Sequence, residues 1–191
     1  NPKNWYYEKG MNLKHPCIGL VQSANIWEKT KEMLLLTEIM NKFPQIMFYW
    51  VGDGPYRDEV LPKLEKFENF KWLGSLEYPK KVRQFLSEID VYALITGIDM
   101  SPLTLLEAQL MKKPVIATNV GGIPELMHDG KTGFLIEKNN SIDLKEKIQL
   151  ILQKIEPNDM GYEGRKFVEE NFDWEIIAKK FKEILKKNSK S

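Results

Sequence analysis

Apolar and polar positions alternate in blocks along this chain. Cys17–Gln22 (CIGLVQ) is a short apolar run, and Gln45–Val51 (QIMFYWV) is apolar on both faces, as a buried parallel strand would be. Between them Trp27, Met33, Leu34, Leu36, Ile39, Met40 and Phe43 recur at helical spacing, which predicts one helix over Trp27–Phe43. Further strands are expected at Asn69–Leu73, Asp90–Ile95, Pro114–Thr118 and Thr132–Ile136. Helices are expected at Tyr56–Phe67, broken or restarted at Pro62, and at Pro79–Glu88 and Leu103–Met111. A short one follows near Pro124, then longer ones at Ser141–Leu152, Asp159–Glu170 and Trp174–Lys187.

Strand and helix thus alternate about six times at short spacing. That predicts an α/β fold: a Rossmann-like, doubly wound parallel sheet of about six strands with helices on both faces. Only Asn1–Lys14 and Asn188–Ser191 read as loosely held. In such sheets ligands bind beyond the carboxyl ends of the strands. The loops of interest are therefore Gln22–Trp27, Gly52–Pro55, Gly74–Tyr78, Thr96–Pro102 and Asn119–Pro124.

The chain has 191 residues, enough for one sizeable core, and 42% of them are hydrophobic. Its 28 basic and 27 acidic residues leave a net charge of +1, which argues against nucleic acid as a partner. Cys17 is the single cysteine, so an intramolecular disulfide is impossible and a reducing compartment is favoured. Cys17 reads as a small buried hydrophobe at a strand start, and His15 and His128 as surface residues. No apolar run reaches membrane-spanning length. Asn1-Pro2-Lys3-Asn4 reads as the interior of a longer protein.

Chemistry concentrates between Asp99 and Glu125. Ser101-Pro102 reads as N-cap and first helical position. The N–H groups of Leu103 and Thr104 would then be unpaired donors at the positive end of a helix, suited to phosphate. Glu107, more than one turn further on, could accept two hydrogen bonds from a vicinal diol such as a ribose. Asp99, before the helix, could accept bonds from sugar hydroxyls. Taken singly, Ser101-Pro102 is a good helix start in any protein, and Glu107 an ordinary exposed carboxylate. Gly121-Gly122 has two open readings: backbone donors for a ligand, or only a sharp turn.

The segment TGIDMSPLTLLEAQLMKKPVIATNVGGIPELMHDGKTGFLI resembles the donor-binding half of family-four retaining glycosyltransferases of GT-B fold (glycosyl transferases group 1). VGDGP at Val51–Pro55, WLGS at Trp72–Ser75 and NFDW before the last helix resemble the same family. The resemblance covers nearly the whole chain. It implies that residues 1–191 form a single donor-binding domain, one half of a GT-B fold, with an N-terminal acceptor-binding domain lying outside this chain. Its two acids, with seven residues between them, fall on Asp99 and Glu107. Glu107 inherits the ribose and Asp99 the transferred sugar. Backbone amides around Ser101, Pro102, Leu103 and Thr104 would hold the diphosphate of a UDP-, GDP- or ADP-sugar. Lys29 would neutralise that leaving diphosphate, and the base would lie near Gly74 and Ser75. Neither a metal nor any other cofactor is expected to be required.

Three departures from the family stand out. The first acid is Asp99 where Glu is usual, so it reaches about one methylene less far. Met100 stands where Gly is usual and resists positive φ. The family's arginine falls on Ala24, which removes a bidentate phosphate clamp. They motivate an alternative, a nucleotide-sugar-binding or regulatory module with degraded chemistry. A dinucleotide-dependent oxidoreductase fails because no G-x-G-x-x-G follows the first strand. The last helix carries Trp174, Ile177, Phe181 and Leu185 on one face and several lysines on others. It is read as covered by its own or the absent domain, with an anionic membrane surface as the lesser alternative. The expected location is cytoplasmic, with peripheral attachment to the inner membrane face as a variant.

Overall fold

The computed structural model describes residues 1–153 and 157–188, without the side chains of 157, 158, 187 and 188. Strand β1 (Cys17–Val21) is followed by α1 (Trp27–Thr30), a 3-10 segment (Lys31–Leu35) and α2 (Leu36–Lys42). Then come β2 (Met47–Val51), α3 (Arg57–Leu64), β3 (Phe70–Trp72), α4 (Lys80–Glu88) and β4 (Val91–Leu94). The chain continues through α5 (Leu103–Leu110), β5 (Val115–Thr118), a 3-10 turn (Ile123–Leu126) and β6 (Gly133–Ile136), and ends in α6 (Ser141–Gln153), α7 (Pro157–Asn171) and α8 (Trp174–Asn188).

All six strands run parallel in the order β3-β2-β1-β4-β5-β6. The sheet is buried on both faces, which is why its strands are continuously apolar. One core lies between it and α2, α3 and α6, built on Phe48, Trp50, Ile116 and Ile148. The other lies under α4, α5 and α7, built on Tyr92, Phe85, Leu105 and Val168. Trp50 is fully buried, and its indole N–H donates to Gln22 O at 2.8 Å, tying the carboxyl ends of β1 and β2 together. The expected doubly wound α/β sheet is thus the observed one.

Several local expectations needed correction. The single helix over Trp27–Phe43 is three pieces, because a 3-10 segment interrupts it at Lys31–Leu35. Pro62 does not break its helix; α3 runs two residues past it. Residues 1–14 are not loose. Trp5 is 6% exposed in the second core, Lys14 N–H donates to Tyr49 Oη at 2.9 Å, and Arg83 pairs with Glu8 at 3.2 Å. Residues 189–191 of the other expected loose end lie outside the described residues. The face of α8 is not covered by its own domain, since Trp174, Phe181, Ile184 and Leu185 are all exposed. Among the described residues, no helix is long and apolar enough to cross a membrane.

Candidate functional site

Strand order reverses between β1 and β4, and a crevice opens there beyond their carboxyl ends. It has a volume of about 620 Å³. The loop and helix after β1 contribute Gln22, Ser23, Asn25 and Lys29, and the loop after β2 contributes Gly52 and Asp53. Ser75, Leu76 and Tyr78 enter from the turn before α4, and Asp99, Ser101, Pro102, Leu103 and Thr104 from the segment after β4.

Lys29 and Asp99 meet across this switch point. The Lys29 ammonium is ion-paired with Asp99 Oδ2, and both side chains are mostly shielded, at 20% and 11% exposure. The Asp99 loop is held from two sides. Thr96 Oγ1 donates to Ile98 O at 3.0 Å, and Thr96 N–H donates to Thr118 Oγ1 at 3.1 Å. From the β5–β6 connection, Gly122 N–H donates to Asp99 O at 3.1 Å. A Cβ on Gly121 would lie 2.0 Å from Asp99 O, and one on Gly122 2.0 Å from Met100 O. The glycine pair therefore lets one backbone press against another and brace the acid's loop. Met100 is 72% exposed and is not among the positive-φ residues outside glycine, which are Asn12, Lys112 and Asn139. The expected backbone conflict does not arise.

Helix α5 begins one residue later than expected: Pro102 occupies the N-cap position with extended backbone, and Leu103 is the first helical residue. Ser101 precedes the cap. Leu103 and Thr104 still present first-turn N–H groups to the crevice. The turn is anchored from below by Tyr92, fully buried, whose hydroxyl donates to Thr104 Oγ1 at 2.8 Å. Burial raises the Tyr92 phenol well above its ordinary range, so it stays a donor.

Glu107 does not line the same crevice. It is 7% exposed and faces an adjoining cavity of about 410 Å³, bounded also by Pro2, Trp5, Leu106, Phe172 and Trp174. The two spaces share Tyr78, Ser101 and Leu103. Tyr78 Oη donates to Glu107 Oε1 at 2.9 Å. Burial raises the Glu107 pKa; the Tyr78 hydrogen bond and the chain's amino terminus pull it back.

Ser75 lines the crevice as expected, but Gly74 lines neither space and serves as a positive-φ turn whose carbonyl accepts from Gly52 N–H at 2.9 Å. Ala24 is fully buried, with its N–H on Asp53 O and its carbonyl accepting from Tyr56 N–H. The Ala24 methyl does not line the crevice; Ser23 and Asn25 on either side of it do. Lys29 is the one cation among the lining residues. Arg57, the nearest in sequence to Asp53, is engaged by Asp53 and Asp58 and stacks on Trp72 at 5.2 Å.

Sequence reasoning named the right loops but not Gln22, Asn25, Asp53 or Tyr78. Gln22 Nε2 donates to Ile95 O at 3.0 Å, which joins the ends of β1 and β4, while its Oε1 has no partner among the described residues. At the opposite end of β1, His15 is exposed and lies 2.9 Å from Asp90 Oδ2, which raises its pKa. Cys17 beside it is buried, and burial pushes its thiol up to about 12.

The sheet order and the crevice over its switch point define a Rossmann-like, doubly wound α/β domain. Residues 18–154 match the family of glycosyl transferases group 1, and the chain belongs to that family. It is 31% identical to an N-acetyl-alpha-D-glucosaminyl L-malate synthase of Bacillus anthracis over 94% of this chain and 50% of that one. The chain spans about 30% to 50% of the length of the curated relatives it matches. Its fold matches GT-B glycosyltransferase structures. Anabaena HepE in complex with UDP-glucose superposes with a TM-score of 0.75 at 21% identity, over 90% of this chain and 49% of that one. The C-terminal domain of a glycosyl transferase group 1 family protein from Francisella tularensis superposes with a TM-score of 0.75 at 17% identity, over 91% and 98%.

Proposed function

We propose that this chain is the donor-binding domain of a retaining glycosyltransferase that moves a sugar from a nucleoside diphosphate, UDP, GDP or ADP, to an acceptor held by an N-terminal domain. The observation that carries the reading is the junction of Lys29, Asp99 and the first turn of α5 at the switch point. The N–H groups of Leu103 and Thr104 and the positive helix end bind the diphosphate. Lys29 adds a full charge against the negative charge that grows on the leaving group. Asp99 accepts from hydroxyls of the sugar, and Glu107 from the ribose. Ser75 and Leu76 border the base. These acids bind hydroxyls and do not shuttle protons; with the helix start and Lys29 set against the leaving group's charge and no Asp-x-Asp motif in this setting, the reading calls for no metal or other cofactor. UDP-glucose in the fold relative HepE supports the nucleotide-sugar assignment.

Calorimetry with UDP-, GDP- and ADP-sugars tests this. One of them at about a hundred times its Kd should stabilise the chain by roughly 2.7 kcal/mol, and NAD should not. Lys29→Ala should weaken that ligand about tenfold or more, since a charge-assisted contact is worth at least about 1.4 kcal/mol. The 191-residue chain alone should transfer little; robust turnover by it contradicts the need for an acceptor domain. A second reading, a binding module with weakened catalysis, is supported by the crevice lining, in which Lys29 is the one cation set against the leaving group and Asp99 is the shorter acid. Binding without transfer by the full-length protein would favour it.

A further inference from the structure

Glu107 is poorly placed to be an acceptor on its own. It is 7% exposed, and a carboxyl cut off from water favours its neutral form, which gives up acceptor capacity to become a donor. Its head carries a hydrogen bond from a side chain outside its helix. The Tyr78 hydroxyl lies 2.9 Å from Oε1, and its ring stands on the seam between the crevice and the adjoining cavity, tilted at 57° to Trp5 with centroids 6.2 Å apart. Tyr78 is 64% exposed, so the fold does not need it for its core.

We propose that Tyr78 is a positioning residue for nucleotide recognition: its hydroxyl fixes the Glu107 carboxylate at the seam, leaving Oε2 and the second lone pair of Oε1 for the two hydroxyls of a ribose. This rests on the donor-binding reading. A carboxylate offers about four lone-pair sites, so one tyrosine and one diol can be served together. The same bond opposes the effect of burial and helps keep Glu107 ionised. The other charged or titratable groups facing Glu107 are the chain's amino terminus and, from β4, Tyr92; Arg83 of α4 acts on Tyr78 itself. The side chains that α7, α8 and the turn between them bring to the cavity are apolar: Val168, Phe172, Trp174 and Ile177.

The test is Tyr78→Phe in the 191-residue chain, which keeps the ring against Trp5. UDP, GDP and ADP are titrated into the wild type by calorimetry. The tightest of them and its 2′-deoxy counterpart are then compared in both proteins from pH 5 to pH 8. The expected result is a folded variant whose Tm falls by a few °C as the shielded carboxylate loses its partner, a Kd for the ribonucleotide raised roughly tenfold, and a much smaller change for the deoxy form. Without the Tyr78 bond Glu107 takes up its proton at higher pH. The variant-to-wild-type ratio of Kd should therefore widen as pH falls, and taking the ratio at each pH cancels the nucleotide's own titration. Equal or tighter binding by the variant, or an equal loss for both nucleotides at every pH, overturns the role of Tyr78 alone. Failure of all three nucleotides to bind the wild type overturns the donor-binding reading and this inference with it.

Discussion

Lys29 and Asp99 stand 70 positions apart in the chain and touch in space. Their pairing was not readable from spacing; the family resemblance pointed to each acid and cation separately, and the β1/β4 junction of the sheet supplies the contact. Tyr78 and Glu107 show the converse. Nothing about a tyrosine before a proline marks it as a partner of an acid 29 residues away, so that contact was illegible. Ala24 changes meaning most. From sequence it is a lost phosphate clamp; in the structure it is a fully buried core position. An arginine there would bring an unpaired charge into the core, which costs several kcal/mol. Ala24→Arg should therefore lower Tm by at least about 5 °C in a chain of this size and should not raise nucleotide affinity. Differential scanning calorimetry checks it; an unchanged Tm with tighter nucleotide binding would restore the lost-clamp reading.

The inner strands were legible because a parallel strand covered on both faces is a continuous apolar run, while edge strand β3, with Lys71 exposed, was marked by the Gly74 turn that follows it. Boundaries were less so. Lys31–Leu35 carries the same apolar spacing as the helices beside it, so its 3-10 winding leaves no trace in the pattern. The order of Ser101 and Pro102 at the start of α5 likewise admits two registers, and the extended backbone of Pro102 selects the later one. Elements are also joined by polar side chains that the pattern does not show. Asn69 is nearly buried, and its amide group lies within donating distance of the carbonyls of Met40, Phe43 and Ile46, at 3.2, 3.0 and 3.0 Å. It closes the carboxyl end of α2 onto the start of β2. Asn69→Leu takes this donor from the Met40 and Ile46 carbonyls, while Phe43 O keeps Ile46 N–H at 3.0 Å; the cost of about 1–3 kcal/mol should lower Tm by roughly 2–12 °C. Thermal unfolding followed by circular dichroism would show it; a change under about 1 °C would mean the carbonyls find other partners.

Helix α8 leaves an apolar face uncovered by the domain. Residues 1–14 were misjudged as loose because what holds them is distant: Tyr49, Arg83 and Arg165. The apolar side of α8 was visible in sequence, but its exposure was not, since amphipathic spacing says only that a face wants cover. Phe181 and Leu185 are 61% and 54% exposed. Replacing both with Ser should move the Tm of this chain by less than about 4 °C, because exposed positions contribute within about 0.5 kcal/mol each. A larger fall in a calorimetric scan would mean that the domain covers the face in solution.

On the donor-binding proposal, the ion pair over the switch point has a consequence for how a diphosphate would arrive. Lys29 belongs to the half of the sheet that begins with β1 and Asp99 to the half that continues from β4, so their contact is a clasp across the seam between the halves. The unliganded cation is already satisfied by a tethered anion. An incoming diphosphate competes with that tethered anion for the ammonium, and its affinity is the difference between two ion pairs. Such a site discriminates by charge: a weakly charged ligand loses the competition to Asp99, and a ligand bearing several negative charges wins it.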